Sequence, residues 1–123
     1  FFEMITAELR SCAEEIKVNL INSANFGIPQ RRERVIVVGG TNSFVTNFKL
    51  EEITTIPGAK NGNQSLPHTP SVKDALDDLP ALVHAEDGSQ KEYTSTPSTL
   101  YQKLMREDIT PSEYIATLKN LRR

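Results

Sequence analysis

The sequence has one cysteine, little net charge and no long apolar run, and each shortage removes a class of protein. A single cysteine in 123 residues excludes an internal disulfide framework and a Cys-rich zinc module, and it accords with a reducing compartment. Fourteen Lys and Arg stand against sixteen Asp and Glu, a formal net charge of −2. Bulk charge therefore gives no case for nucleic-acid binding, and any such case rests on a local cluster. With 24% charged and 37% apolar residues, the composition is that of an ordinary globular chain, neither disordered nor supercharged. No apolar run approaches the roughly 20 residues of a membrane span, and the opening residues do not read as a signal peptide. The expectation is a chain with no membrane partner, in the cytoplasm. His68 and His84 stand in loops without Cys or acidic partners at ligand spacing, so no metal site is expected.

What is present has the length of one domain. The chain opens on Phe1-Phe2-Glu3-Met4, already inside an amphipathic pattern, and at Leu121-Arg122-Arg123 a helical pattern is still running. Both ends read as cut, which leads to the expectation of a piece of a longer protein. Phe1, Phe2, Ile5, Leu9 and Cys12 recur at helical steps and predict a helix with a core-facing stripe, Cys12 included. Ile16, Val18 and Leu20 alternate with Lys17 and Asn19, the pattern of a strand with one buried face. Asn22 to Pro29 is a breaker-rich loop. Val35-Ile36-Val37-Val38 is apolar on both faces and predicts a strand buried inside a sheet, stopped by Gly39-Gly40.

From Thr41 about thirty residues rich in Asn, Gly and Pro read as loop, with at most short strands around Phe44–Leu50 and Ile53–Ile56. Three short helices follow. Thr69 or Ser71 opens the first, Val72–Leu76, which Pro80 stops. Thr96-Pro97 opens the second, with Leu100, Tyr101, Leu104 and Met105 on its apolar face. Thr110-Pro111-Ser112-Glu113 opens the third, which carries Tyr114, Ile115, Leu118 and Leu121. Tyr93 and Tyr101 read as packing residues ahead of stacking platforms.

The segment with chemistry in it is Gln30-Arg31-Arg32-Glu33-Arg34. Strand alternation puts Gln30, Arg32 and Arg34 on one side, with Arg31 and Glu33 on the other. Such a row offers fork-shaped donors for phosphate oxygens or for a carbonyl oxygen of a base, and Glu33 is placed to neutralise one arginine. A solvated basic turn beside a strand is the plain alternative.

The residues around the row decide between these. Asn22-Ser23-Ala24-Asn25-Phe26-Gly27-Ile28-Pro29-Gln30-Arg31-Arg32-Glu33-Arg34-Val35-Ile36-Val37-Val38-Gly39 closely resembles the eighth conserved motif of DNA cytosine-5 methyltransferases, whose heart reads Gly-Ile/Val-Pro-Gln-x-Arg-x-Arg. Departures are small: Ile21 intervenes between Leu20 and Asn22, and Ser23 stands where Ala is commoner. Ser71-Val72-Lys73-Asp74-Ala75-Leu76-Asp77-Asp78-Leu79-Pro80 is similar to the segment that follows the motif. So, more weakly, is Tyr93 through Pro97-Ser98 to Tyr101-Gln102-Lys103-Leu104-Met105-Arg106.

The resemblance implies an α/β fold: the partial edge of a Rossmann-like, S-adenosyl-methionine-dependent methyltransferase sheet, followed by a loop-rich, mostly short-helical segment. Residues 1–40 would be the late part of the catalytic domain, and residues 41–123 a linker and the start of the target recognition region. The implied partner is duplex DNA, from which the target cytosine is swung into a pocket. By the same resemblance Arg34 lies against the cytosine O2 and the attacking thiolate, and Arg32 braces the pocket and contacts the target backbone. Gln30 sits at the DNA-facing rim, and Arg31 and Glu33 support or contact phosphate. The family's Phe-x-Gly-x-Gly cofactor loop, its Pro-Cys nucleophile and its Glu-Asn-Val motif do not occur here, and Cys12 follows Ser11. The 123 residues are therefore expected to be inactive alone, with no S-adenosyl-methionine bound. A bacterial restriction-modification enzyme is the expected parent. A non-catalytic DNA- or phosphate-binding module using Gln30–Arg34 is the rival.

Overall fold

The computed structural model describes residues 2–60 and 62–122. Phe1, Asn61 and Arg123 lie outside them; the sequence placed these on the first helical stripe, in the long loop and at the end of the last helix. The element order is α1 (Phe2–Cys12), β1 (Glu15–Asn22), a 3-10 turn (Ser23–Phe26), β2 (Glu33–Gly40), α2 (Asn42–Asn47), α3 (Val72–Leu76), α4 (Leu100–Met105) and α5 (Pro111–Asn120).

β1 and β2 pair antiparallel, with Ile16 opposite Gly39, Val18 opposite Val37, Leu20 opposite Val35 and Ile21 opposite Arg34. This two-stranded sheet and its helices make a mixed α/β segment, the coarser part of the fold expectation. Three expectations about burial are corrected. β2 is not buried on both faces: Val35 is 52% exposed and its partner Leu20 69%, because among the described residues β2 pairs only with β1. Of the β1 stripe only Ile16 is buried. Cys12 is exposed rather than core-facing. α1 has no buried residue, since it meets the hairpin near its end, where Ala13 lies beside Gly39.

Local chemistry also corrects element boundaries. Phe44–Leu50 is not a strand. Thr41 caps α2 by accepting the Phe44 N–H, and the Phe44 ring packs beside Gly40. Ile53–Ile56 contributes a single parallel bridge, Thr55 to His68. Ser71, not Thr69, caps α3, in a reciprocal box with Asp74. α4 opens at Thr99 rather than Thr96, because the Gln102 side chain reaches back to the Ser98 and Thr99 amides at 2.8 and 3.2 Å. Thr110 and Glu113 form the box expected for α5. That helix ends at Asn120 with Leu121 as its cap, so the helical pattern does not continue through Arg122.

A core cluster forms around α5. Ile53, Tyr114 and Leu118 are buried together, with Leu100, Tyr101, Leu104 and Ile109 against them. A second knot ties α3 to α4. Thr99 Oγ1 donates to the Asp74 carbonyl at 2.6 Å, and the nearly buried Asp78 carboxylate takes Arg106 Nε at 2.8 Å together with its Nη2.

Candidate functional site

The arginine row follows a turn that the rest of the chain holds from three directions. Asn22 caps the 3-10 turn through its side chain, and Gly27 ends it at φ +79°, a left-handed conformation that favours glycine. The Ala24 carbonyl accepts the hydroxyls of Thr54 at 2.7 Å and Thr69 at 2.5 Å. The Gly27 N–H donates to Thr54 Oγ1 at 2.8 Å, and the Gly27 carbonyl accepts the Tyr114 hydroxyl at 2.7 Å. Further along, the Ser23 amide and hydroxyl close the loop on the Arg32 carbonyl at 2.9 and 3.1 Å.

Gln30, Arg31, Arg32 and Arg34 are all exposed. Their alternation differs from the expected one. β2 begins only at Glu33, so strand geometry governs Glu33 and Arg34 but not the three residues before them. Gln30 and Arg31 instead line one cleft of about 360 Å³, with Pro29, Pro57 and Pro70 among its walls. Arg34 emerges from the strand opposite Ile21, and one of its N–H groups donates to the Glu33 carbonyl at 2.6 Å. Among the described residues no ion pair joins the Glu33 carboxylate to an arginine of the row. Among the described residues no carboxylate takes up the row's fork-shaped donors, which suits them to an external anion or carbonyl.

The tyrosines take packing roles. Arg106 lies 3.6 Å above the Tyr93 ring centre, and Tyr101 meets Tyr114 edge-on with centroids 6.1 Å apart. Burial, with a smaller contribution from Tyr101, pushes the Tyr114 hydroxyl's pKa above its ordinary value, so it stays a neutral donor at neutral pH. Thr54 and Tyr114 were invisible as site residues in the sequence. One sits in a run read as a short strand and the other on a helix's apolar face, with nothing to signal a bond across 87 residues.

A hairpin loop presenting a basic row beside a shallow cleft defines an α/β module suited to a polyanion or the edge of a base. The chain belongs to the C-5 cytosine-specific DNA methylase family, whose model matches residues 1–123. It is 27% identical to the Type II methyltransferase M.DdeI of Desulfomicrobium norvegicum, over 88% of this chain and 24% of that protein. It is 37% identical to the Type II methyltransferase M.AplI of Arthrospira platensis, over 46% of this chain and 16% of that protein. DNA (cytosine-5)-methyltransferase 4 of Arabidopsis thaliana is 24% identical over 89% of this chain and 8% of its own length. The chain thus spans a quarter or less of these relatives. No solved structure matches.

Proposed function

We propose that this chain is the target-cytosine-facing segment of a DNA cytosine-5 methyltransferase, an enzyme that transfers a methyl group from S-adenosyl-methionine to carbon 5 of a cytosine flipped out of duplex DNA. One observation carries the reading. The Asn22–Gly39 block supplies the loop and the second strand of one hairpin, and there three exposed arginines stand with no carboxylate partner among the described residues. Family membership supports this over a stand-alone phosphate-binding module.

The glycine pair Gly39–Gly40 offers no cradle for the methyl donor. A β-carbon on Gly40 would meet the Phe44 ring at 2.9 Å and one on Gly39 the Ala13 methyl at 3.2 Å, so the chain's own side chains fill the space beside this glycine pair. The donor's site and the nucleophilic thiolate are assigned to residues outside these 123, which by themselves are inactive in this reading.

Within the whole enzyme each residue of the row has a task. When a thiolate adds to carbon 6 of the pyrimidine, negative charge grows across the ring. Arg34 lies against the cytosine O2 and the thiolate and stabilises that charge as it develops. Arg32 braces the pocket and contacts the target strand's backbone. Gln30 and Arg31, side by side on the cleft, face the DNA. Residues 1–40 form the edge of a Rossmann-like sheet, and residues 41–123 lead into target recognition. Type II relatives support a bacterial, cytoplasmic restriction-modification setting.

The test is methyl transfer by the natural protein that carries this segment. Incubated with labelled S-adenosyl-methionine and duplex DNA, it should yield 5-methylcytosine on digestion. Label on adenine, on the exocyclic nitrogen of cytosine, or nowhere would overturn the reading.

A further inference from the structure

We infer that Tyr114 and Thr54 are positioning residues for the arginine row: together they clasp the Gly27 turn from two later segments of the chain and fix where Gln30 to Arg34 emerge. The inference rests on the proposed function only for what the row does, not for how it is held.

Both side chains are sequestered from solvent, Thr54 at 0% and Tyr114 at 3% exposure. Thr54 Oγ1 uses both of its capacities on the turn, accepting the Gly27 N–H and donating to the Ala24 carbonyl. The Tyr114 hydroxyl takes the other polar group of Gly27, its carbonyl, 87 positions away in sequence. Both backbone polar groups of Gly27 are thereby tied to residues distant in sequence, Thr54 and Tyr114. The approach is tight on the remaining side too, since a β-carbon at Gly27 would stand 2.9 Å from Leu118 and 3.0 Å from the Tyr114 ring. Only Ile28 and Pro29 separate Gly27 from Gln30, so freedom at the turn becomes displacement of the row. A small misplacement of a donor aimed at developing charge costs rate more than affinity.

The experiment uses the natural protein carrying the segment, as wild type and as Tyr114→Phe, Thr54→Val and Thr54→Ser. Amide hydrogen exchange is read across residues 23–34 and across α5, and kcat and KM for duplex DNA are measured well below the melting temperature. In Tyr114→Phe and Thr54→Val, exchange at residues 27–32 should rise about three- to tenfold, the size of one lost hydrogen bond, with the last turn of α5 unchanged. Their kcat should fall by a similar factor, with KM for DNA within about twofold. Thr54→Ser keeps the hydroxyl and should match wild type. Unchanged exchange in the turn, a rise spread evenly over α5, or a localised rise with unaltered kcat in an active enzyme would each overturn the inference. If the wild type transfers no methyl group to cytosine, the proposed function fails alone, and the exchange pattern still decides the clasp.

Discussion

Gly27→Ala tests the packing of the turn, and Gly58→Ala supplies its control. Both glycines have positive φ, +79° and +76°, but a β-carbon at Gly58 meets nothing within 4 Å. Adding a methyl group in the left-handed region costs about 1–2 kcal/mol, and Gly58→Ala should show that much. At Gly27 the new methyl also meets Leu118 Cδ1 at 2.9 Å and Tyr114 Cε1 at 3.0 Å. Both belong to the buried core of α5, so neither is free to swing aside, and forced repacking of this kind adds about 1–3 kcal/mol. Gly27→Ala should therefore lose about 2–5 kcal/mol. That is a large part of the roughly 5–15 kcal/mol typical of a domain. Urea denaturation of the two variants beside wild type measures both losses, and their difference isolates the steric part from the backbone part. Equal losses at the two positions would refute the close approach of α5 to the turn.

Further perturbations reach other parts of the fold. Asp78→Ala strands the guanidinium of Arg106, whose side chain is 14% exposed, and should cost about 3–5 kcal/mol in the same denaturation assay. Leu118→Ala empties a buried position beside Ile53 and Tyr114 and should cost about 2–5 kcal/mol. Hydrogen bonds from Arg122 and Lys119 hold the Glu51 carboxyl at about 2, down from 4.5. The Ser71 hydroxyl and then its amide lower Asp74, and the Thr110 amide and then its hydroxyl lower Glu113. Because the folded-state values are depressed, these groups contribute stability above the ordinary carboxylate range, and it is lost as pH falls, for Glu51 between about 4.5 and 2. Melting temperatures measured down that range should fall with pH, and Glu51→Gln should flatten the decline.

Local signals in the sequence were legible where one short stretch contains the whole device. The α5 opening is complete within Thr110–Glu113, and the structure builds it as read. Thr96-Pro97 mimics a helix opening three residues ahead of the true start of α4, which the Thr99-x-x-Gln102 box sets. α2 was hidden because aromatic and β-branched residues at Phe44–Phe48 favour strands, whereas Thr41 capping and Phe44 packing decide for helix. Burial was less legible still. The apolar patterns of α1, β1 and β2 do mark elements, but Phe2, Leu20 and Val35 stay exposed among the described residues. At the site, the identity of the arginine row came from its neighbours in sequence. Its sidedness is less legible, because strand alternation holds only from Glu33 onward and Gln30 and Arg31 share one cleft. The clasp by Thr54, Thr69 and Tyr114 spans 30, 45 and 87 positions, and long-range bonds of that kind leave no local trace.

In the proposed enzyme the exposed Arg34 guanidinium stabilises charge on an extruded cytosine. Single-turnover methyl transfer to duplex DNA by the natural protein, wild type against Arg34→Ala, tests it most directly. The loss should be about 2–4 kcal/mol in transition-state stabilisation, the size of one oxyanion donor, with DNA binding far less affected. An Arg34→Ala enzyme that transfers methyl groups at the wild-type rate would contradict the account.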